Sequence, residues 1–278
     1  MLDRYLMGRL IDLWLAEDIG GGDLTSEAMI DAQAQGRFRM NAREPQTVAG
    51  LDVAAEVFRR YDPNLFVMLS AKDGDKVTKD TCLLTVSGPA RSVLTAERTA
   101  LNIVQHLSGI ATETARFVRQ IAGTKAKLID TRKTIPGLRM LEKHAVVCGG
   151  GTNHRLGLDG GVMIKDNHIA ISGSIRAAVK RARANIPVLT KIEVECDRIE
   201  QVREALEVSA DVIMLDNMSL ADMCAAVEMV GGRVPIEASG GVRFESVRAI
   251  AETGVDFIST SRITQAAPAV DIGLDEAG

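Results

Sequence analysis

Beyond Lys125 the chain repeats one beat every roughly twenty to thirty residues: a short apolar run, a polar end, then a stretch with apolar residues at helical spacing. The runs are Lys127-Leu128-Ile129, Val162-Met163-Ile164, Leu189 to Val194, Val212 to Leu215, Val234-Pro235-Ile236 and Phe257-Ile258. Helices are expected between them over Ile175 to Ala184, Ile199 to Val208, Leu220 to Met229 and Phe244 to Glu252. Strands alternating with helices of this length pair in parallel through helical crossovers, which makes the class α/β. The six units fall short of a complete eight-stranded barrel.

In such folds the C-terminal ends of the strands converge on one mouth. In order, the ends here offer Arg132 and Lys133, then Lys165, Glu193 and Glu195, Asp216 and Asn217, Ser239-Gly240-Gly241, and Thr260-Ser261. The richest stretch runs from Leu128 to Ile169, where Lys and Arg residues with His144, His154 and His168 alternate with glycines. Asp130-Thr131-Arg132-Lys133-Thr134 closes the first run, and Pro136-Gly137 is expected to open a helix. That helix, periodic over Leu138 to Val147, stops at Gly149-Gly150-Gly151, and Asn153-His154-Arg155 follow. Cations at strand ends and beside glycines, rather than on helix faces, mark an anion site. Arginine supplies a planar fork and lysine a point charge, so together they suit a ligand with several negative groups.

The carboxylates leave choices open. Glu193 and Glu195 share a strand face with Lys191, and one of the three is either a member of a buried structural ion pair or a ligand contact. Glu195 is nearer the strand end. Asp216 either caps the helix beginning near Ser219 or faces the mouth, and Ser219 can already serve as cap. Carboxylates amid cations suit sugar hydroxyls or a hydrated Mg²⁺, and no His-rich or Cys-rich spacing suggests zinc. Ser239-Gly240-Gly241, ahead of the helix from Phe244, bares backbone N–H groups of the kind that bind phosphate.

The front half reads differently. Leu2, Leu6, Leu10, Leu13 and Trp14 outline an amphipathic helix, which a glycine turn at Gly20-Gly21-Gly22 ends, with Asp23 or Thr25 as the next cap. No Gly-Lys-Ser or Gly-Lys-Thr follows those glycines, so they are not a P-loop. From Gly36 to Gly88 the pattern is strand-like around a short helix over Val53 to Tyr61, a small α+β layer. Ser92 to Gln120 is a long helical region with a break expected near Gly109; Arg98 on it reads, from pattern alone, as a solvated surface residue.

A net charge of −4 argues against a broad nucleic-acid or membrane surface, so the cations are gathered locally. No apolar run approaches the roughly 20 residues needed to span a bilayer. Cys82, Cys148, Cys196 and Cys224 form no CxxC pair, and no spacing joins Cys148 to a base. With no leader pattern at the front, the expected location is cytoplasmic.

The strings EDIGGGDLTSEA, ERTALN, DTRKTIPGLRMLEKHAVVCGGGTNHR, MIKDNH, IEVEC, MLDN, EASGG and TQAAPAVDIGL follow one another over nearly the whole chain. In that order they resemble the quinolinate phosphoribosyltransferase family. The resemblance implies a mixed α/β sandwich over residues 1–110 joined by 266–278, and an open seven-stranded α/β barrel over 111–265, the seventh strand lying near the start or end of the barrel. It implies transfer of phosphoribosyl from phosphoribosyl pyrophosphate to quinolinate with decarboxylation and Mg²⁺, in NAD biosynthesis. By resemblance Arg132, His154 and Arg155 bind the two carboxylates of quinolinate, joined by Arg98 from a neighbouring subunit, which requires at least a dimer. Lys133 and Lys165 lie between the pyridine acid and the pyrophosphate. Glu195 and Asp216 hold ribose hydroxyls and metal, directly or through water. Thr131 joins the substrate contacts, while Ser239, Gly240, Gly241, Ser259, Thr260 and Ser261 belong to the phosphate loops. Two positions depart from the family pattern: Ile135 stands where a second Thr is common, and Ser261 stands where a glycine is usual, beside the added charge of Arg262. Two other readings compete with the enzyme: a molybdate-transport-associated relative of the same fold, and a non-catalytic nucleotide-binding module. The intact set of Arg98, Arg132, Lys133, His154, Arg155 and Lys165 argues against the former.

Overall fold

A computed structural model describes residues 4–277, so Leu2, the first expected apolar position of the opening helix, lies outside the described residues. In chain order the elements are α1 (Arg4–Ile19), α2 (Leu24–Met29), β1 (Gln35–Ala42), β2 (Gln46–Thr47), α3 (Leu51–Tyr61), β3 (Phe66–Leu69), β4 (Lys76–Val77), β5 (Cys82–Pro89) and α4 (Ala90–Gln120). There follow β6 (Lys127–Ile129), α5 (Arg139–Cys148), β7 (Val162–Ile164), α6 (Asp166–Ser172), α7 (Ile175–Asn185), β8 (Ile192–Cys196) and α8 (Ile199–Glu207). The last are β9 (Val212–Asp216), α9 (Leu220–Val230), β10 (Ile236–Ser239), α10 (Phe244–Glu252), β11 (Phe257–Ser259) and β12 (Ile272–Glu276). They fall into two compact units. The first takes the chain through Ala115, the segment Ile135–Gly150 and the segment from Ala267; the second takes Arg116–Thr134 and Gly151–Ala266. The expected boundary between 110 and 111 thus stands beside a division between Ala115 and Arg116, and α5 clusters with the first unit.

The first unit is built on an antiparallel sheet in the order β12-β1-β5-β3, with β2 and β4 paired separately. Met40, Leu84 and Val86 are fully buried on it, as are Val57 and Phe58 of α3. Burying each such side chain contributes about 1.5–3 kcal/mol. Of the two candidate caps, Asp23 is the one used: its side chain accepts the Ser26 N–H at 3.0 Å and starts α2. The expected break at Gly109 does not occur, and α4 runs unbroken for 31 residues. Glycine is there for another reason: a Cβ at position 109 would sit 2.1 Å from the Pro268 carbonyl oxygen. The C-terminal segment lies against the helix at that point, where Gln105 Nε2 donates to the Ile272 carbonyl at 2.8 Å.

The second unit is a parallel sheet in the order β6-β11-β10-β9-β8-β7. A seventh strand is reduced to a single parallel bridge between Thr152 and Ile129. It follows β6, near the start of the series, and goes no further because Asn153 and His154 turn away immediately to hydrogen-bond Asp130. Three local expectations also shift. The third strand starts at Ile192, not Leu189: Val188 and Leu189 are 97% and 93% exposed in a turn closed by the Thr190 N–H on the Pro187 carbonyl. β10 starts at Ile236 because Pro235 has no N–H for the ladder. α5 begins at Arg139 rather than at Pro136, since Gly137 is left-handed with φ 87°.

Strand parity sorts this sheet into two faces. Leu128, Ile258, Ala238, Leu215 and Cys196 are in register across neighbouring strands and all buried. Burial pushes the Cys196 thiol up to about 12, which leaves it unreactive. The opposite face carries Glu195, Met214, Glu237 and Phe257 in register. Phe244 of α10 packs edge-on to Phe117 with centroids 5.5 Å apart, and the Arg116 guanidinium lies 3.8 Å from its ring centre. Among the described residues no helix is long and apolar enough to cross a membrane.

Candidate active site

The C-terminal ends of the parallel strands surround a cavity of about 660 Å³. Thr131, Arg132 and Lys133 reach it from the end of β6 and Lys165 from the end of β7. Glu195, Asp216 and Ser239 close β8, β9 and β10 on the same cavity, with Gly240, Gly241 and Ser259 beside them. His154 and Arg155 enter from the loop after Thr152. The convergence expected of the strand ends is therefore realised in a single unit. Thr260 and Ser261 are not among its lining residues. The buried Thr260 hydroxyl donates to the Val242 carbonyl at 3.2 Å, and the Ser261 carbonyl accepts the Thr264 and Gln265 N–H groups in a turn. Arg98 is exposed on α4, in the first unit.

Asp130 holds the His154 loop in place. Fully buried, it accepts the His154 N–H at 2.9 Å and Asn153 Nδ2 at 2.6 Å. Sequence reasoning took it only as a polar strand end. The usable signal was its position directly after an apolar strand with no helix to cap, because a buried carboxylate there must accept from something.

His154 sits against two buried carboxylates. Its Nε2 lies 3.0 Å from Glu193 Oε2 and 3.3 Å from Glu237 Oε2, and its Nδ1 accepts the Arg155 N–H at 2.7 Å. Burial alone would lower the histidine; hydrogen bonds and charge from Glu193 and Glu237 outweigh it and raise His154 to about 9. Glu237 also moves up, from burial and the neighbouring Glu193 charge, against the pull of His154. These shifts describe one coupled cluster holding one extra proton with two homes. On Nδ1 of His154 that proton meets the Arg155 N–H, whereas on Glu237 it relieves a buried charge. In either home the cluster keeps the proton through neutral pH. Glu193 is thereby the buried ion-pair member anticipated among Lys191, Glu193 and Glu195. Glu237 was not anticipated, although counting back two residues from Ser239 along β10 places it on the same face.

Behind His154, Arg155 and Glu237 lies a second space of about 260 Å³, which these residues share with the main cavity. Arg155 Nη1 donates to the Gly161 carbonyl at 2.9 Å. Burial, and then the nearby Arg132 charge, lower its pKa. Two guanidinium groups held within each other's field are stabilised by an anion between them.

On the other side, Lys165 Nζ pairs with Glu195 Oε2 at 3.0 Å. Asp216 caps nothing, since the Ser219 hydroxyl accepts the Asp222 N–H at 3.1 Å and starts α9; Asp216 faces the cavity and accepts Asn217 Nδ2 at 2.8 Å. Glu195 is in register with Met214, so Asp216, two residues further on, projects from the adjacent strand on the same face. Two hard oxygen donors so placed would suit a hydrated Mg²⁺. Gly240 has φ 85° and would place a Cβ 2.4 Å from the Asn217 side chain, so the backbone there is bare by necessity.

Residues 23–108 match the N-terminal domain of quinolinate phosphoribosyl transferase, and residues 110–275 match its C-terminal domain. The chain belongs to the quinolinate phosphoribosyltransferase family. One relative, a probable carboxylating nicotinate-nucleotide pyrophosphorylase of Synechocystis, is 46% identical over 94% of this chain and 89% of its own length. Another of the same description, from Bacillus subtilis, is 43% identical over 99% of this chain and 94% of its own. The solved nicotinate-nucleotide pyrophosphorylase of Francisella tularensis superposes with a TM-score of 0.96 at 40% identity, covering 100% of this chain and 98% of that one. Family membership accounts for the parallel barrel sheet and for the separate antiparallel sheet that the sequence resemblance implied.

Proposed function

We infer that this chain is the decarboxylating quinolinate phosphoribosyltransferase of NAD biosynthesis, a pentosyltransferase. The observation that carries the reading is that one cavity gathers the cations, the paired carboxylates and the glycine-bared loop that the two polyanionic substrates require. Neither the molybdate-transport relative nor a non-catalytic binding module is favoured by the names its relatives carry.

In this reading Arg132, His154 and Arg155 bind the two carboxylates of quinolinate, with Thr131 at their edge. Lys133 and Lys165 draw in the pyrophosphate, and Ser239, Gly240, Gly241 and Ser259 offer hydrogen bonds to the ribose 5-phosphate. Glu195 and Asp216 receive the ribose hydroxyls and, through water, Mg²⁺. When bound, that ion neutralises the charge growing on pyrophosphate. As the bond from ribose C1 to the pyrophosphate oxygen breaks, its electron pair leaves with pyrophosphate and the pyridine nitrogen forms the new bond to C1. Fixed cations stabilise the leaving group, and the two carboxylates stabilise positive charge on the sugar. Holding two polyanions in line supplies much of the rate. The quaternised nitrogen then accepts the electron density released as the C2 carboxylate departs as CO₂, and C2 takes up a proton. No general base is needed.

We propose, on the family resemblance, that Arg98, exposed on α4, completes the carboxylate subsite of a second copy, making the working form at least a dimer. The reading is tested by following nicotinate mononucleotide and CO₂ from quinolinate, phosphoribosyl pyrophosphate and Mg²⁺. Product with equal CO₂ supports it, and no turnover by folded protein overturns it.

A further inference from the structure

In the first unit, away from the strand-end cavity, three ligand-type side chains close on one point. Asp73 lies in the loop between β3 and β4, and His144 and Cys148 lie one turn apart on α5. Asp73 Oδ2 is 2.7 Å from His144 Nε2, and Cys148 Sγ is 3.5 Å from that same nitrogen. The three ligand atoms all lie within 4.8 Å of one another. A single proton on Nε2 cannot lie on both lines. If it points to Asp73 the thiol has no linear partner, and if the thiol donates to Nε2 the carboxylate faces a lone pair. A cation at the centre satisfies all three contacts at once.

We propose that Asp73, His144 and Cys148 form a binding site for a zinc-class divalent ion, with water as the fourth ligand. Zinc distances of about 2.0–2.3 Å to O, N and S donors set tetrahedral edges of roughly 3.3–3.6 Å. The Sγ to Nε2 separation already falls there, and the Oδ2 to Nε2 separation of 2.7 Å needs to open by about 0.6 Å, which a side-chain rotation at the half-exposed His144 supplies. The four-residue spacing puts both helical ligands on one face of α5. Asp73 is oriented by the Gly50 and Leu51 N–H groups, each at 3.0 Å, the kind of outer support that fixes a metal-bound carboxylate. The His144 side chain is 42% exposed, which leaves an entry path and room for the water. Sulfur and imidazole donors select zinc over magnesium, so this site is chemically distinct from the one proposed at Glu195 and Asp216. Sequence spacing gave no zinc pattern because Asp73 is 71 residues from His144.

The test is a Co²⁺ titration of the metal-stripped full-length chain. The expected result is a thiolate-to-cobalt charge-transfer band that saturates at one equivalent, is displaced by Zn²⁺, disappears in Cys148→Ser and His144→Ala, and persists in Cys82→Ser and Cys224→Ser. Zn²⁺ should also raise the melting temperature of the wild-type chain but not of Cys148→Ser. If a variant does not fold, the wild-type titration and melting shift still decide. Absence of both in the wild type, or a band that survives Cys148→Ser, overturns the proposal and leaves a hydrogen-bonded structural cluster.

Discussion

His154 shows how a single side chain is set by two carboxylates buried beside it. Glu193 and Glu237 keep an extra proton in its cluster up to about pH 9. Its folded value stands above the unfolded 6.5, so the carboxylate-binding form is present at neutral pH and is lost as pH rises through about 9. The kcat/KM for quinolinate should accordingly fall on the alkaline side of that value. In Glu237→Gln one carboxylate is gone, and the falling limb should move down by about one unit or more. A pH profile superimposable on wild type would show that Glu237 does not act on His154. At this scale the cations were legible in the sequence, because Arg132, Lys133, Arg155 and Lys165 stand beside strand ends and glycines. The second carboxylate beside His154 was not, since Glu237 stands alone as a charge in Ile236-Glu237-Ala238-Ser239, and only the paired sheet reveals that it meets His154.

Among the elements, two glycines have opposite lessons. Gly109 looked like a helix break and is a helix interior, glycine because the Pro268 carbonyl occupies the place of a side chain. Gly109→Ala gains about 1 kcal/mol of helix propensity but drives a methyl into backbone, so a net loss of about 1–3 kcal/mol in denaturant unfolding is expected. A neutral or stabilising result would mean the C-terminal segment is not held there. Gly240 reads as part of a phosphate loop in the sequence, and in the fold it is left-handed with Asn217 where a side chain would sit. Gly240→Ala should raise the KM for phosphoribosyl pyrophosphate roughly 10- to 100-fold, the loss expected for one or two hydrogen bonds to a charged group, while leaving quinolinate affinity within a fewfold. An equal effect on both substrates would place the damage elsewhere. The βα beat gave every parallel strand its approximate position, because each contains a short run with buried apolar residues set between helical stretches. Its errors came from apolar residues that are merely near a strand: Val188 and Leu189 are exposed beside Pro187, and the seventh strand contributes one bridge, too short for any pattern.

The whole molecule carries a net charge of −4 and still brings Arg132, Lys133, Arg155 and Lys165 to one mouth. Local concentration of positive charge draws in two polyanions without making the rest of the surface sticky to them. Fold class and activity were legible because ordered motifs cover nearly the entire chain; the Asp73, His144 and Cys148 cluster was not, because its members meet only in three dimensions. If Arg98 serves a neighbouring copy, Arg98→Ala and Arg155→Ala should each be nearly inactive alone, and their mixed dimers should recover part of the wild-type turnover. No recovery in verified mixed dimers would confine the site to one chain. The most direct measurement remains the choice of acceptor. Purified protein is given phosphoribosyl pyrophosphate and Mg²⁺ with either quinolinate or nicotinate, and nicotinate mononucleotide, pyrophosphate and CO₂ are followed together. The two-carboxylate site predicts product from quinolinate alone, with one CO₂ for each pyrophosphate. Product from nicotinate without CO₂, or none from either acceptor, would contradict it.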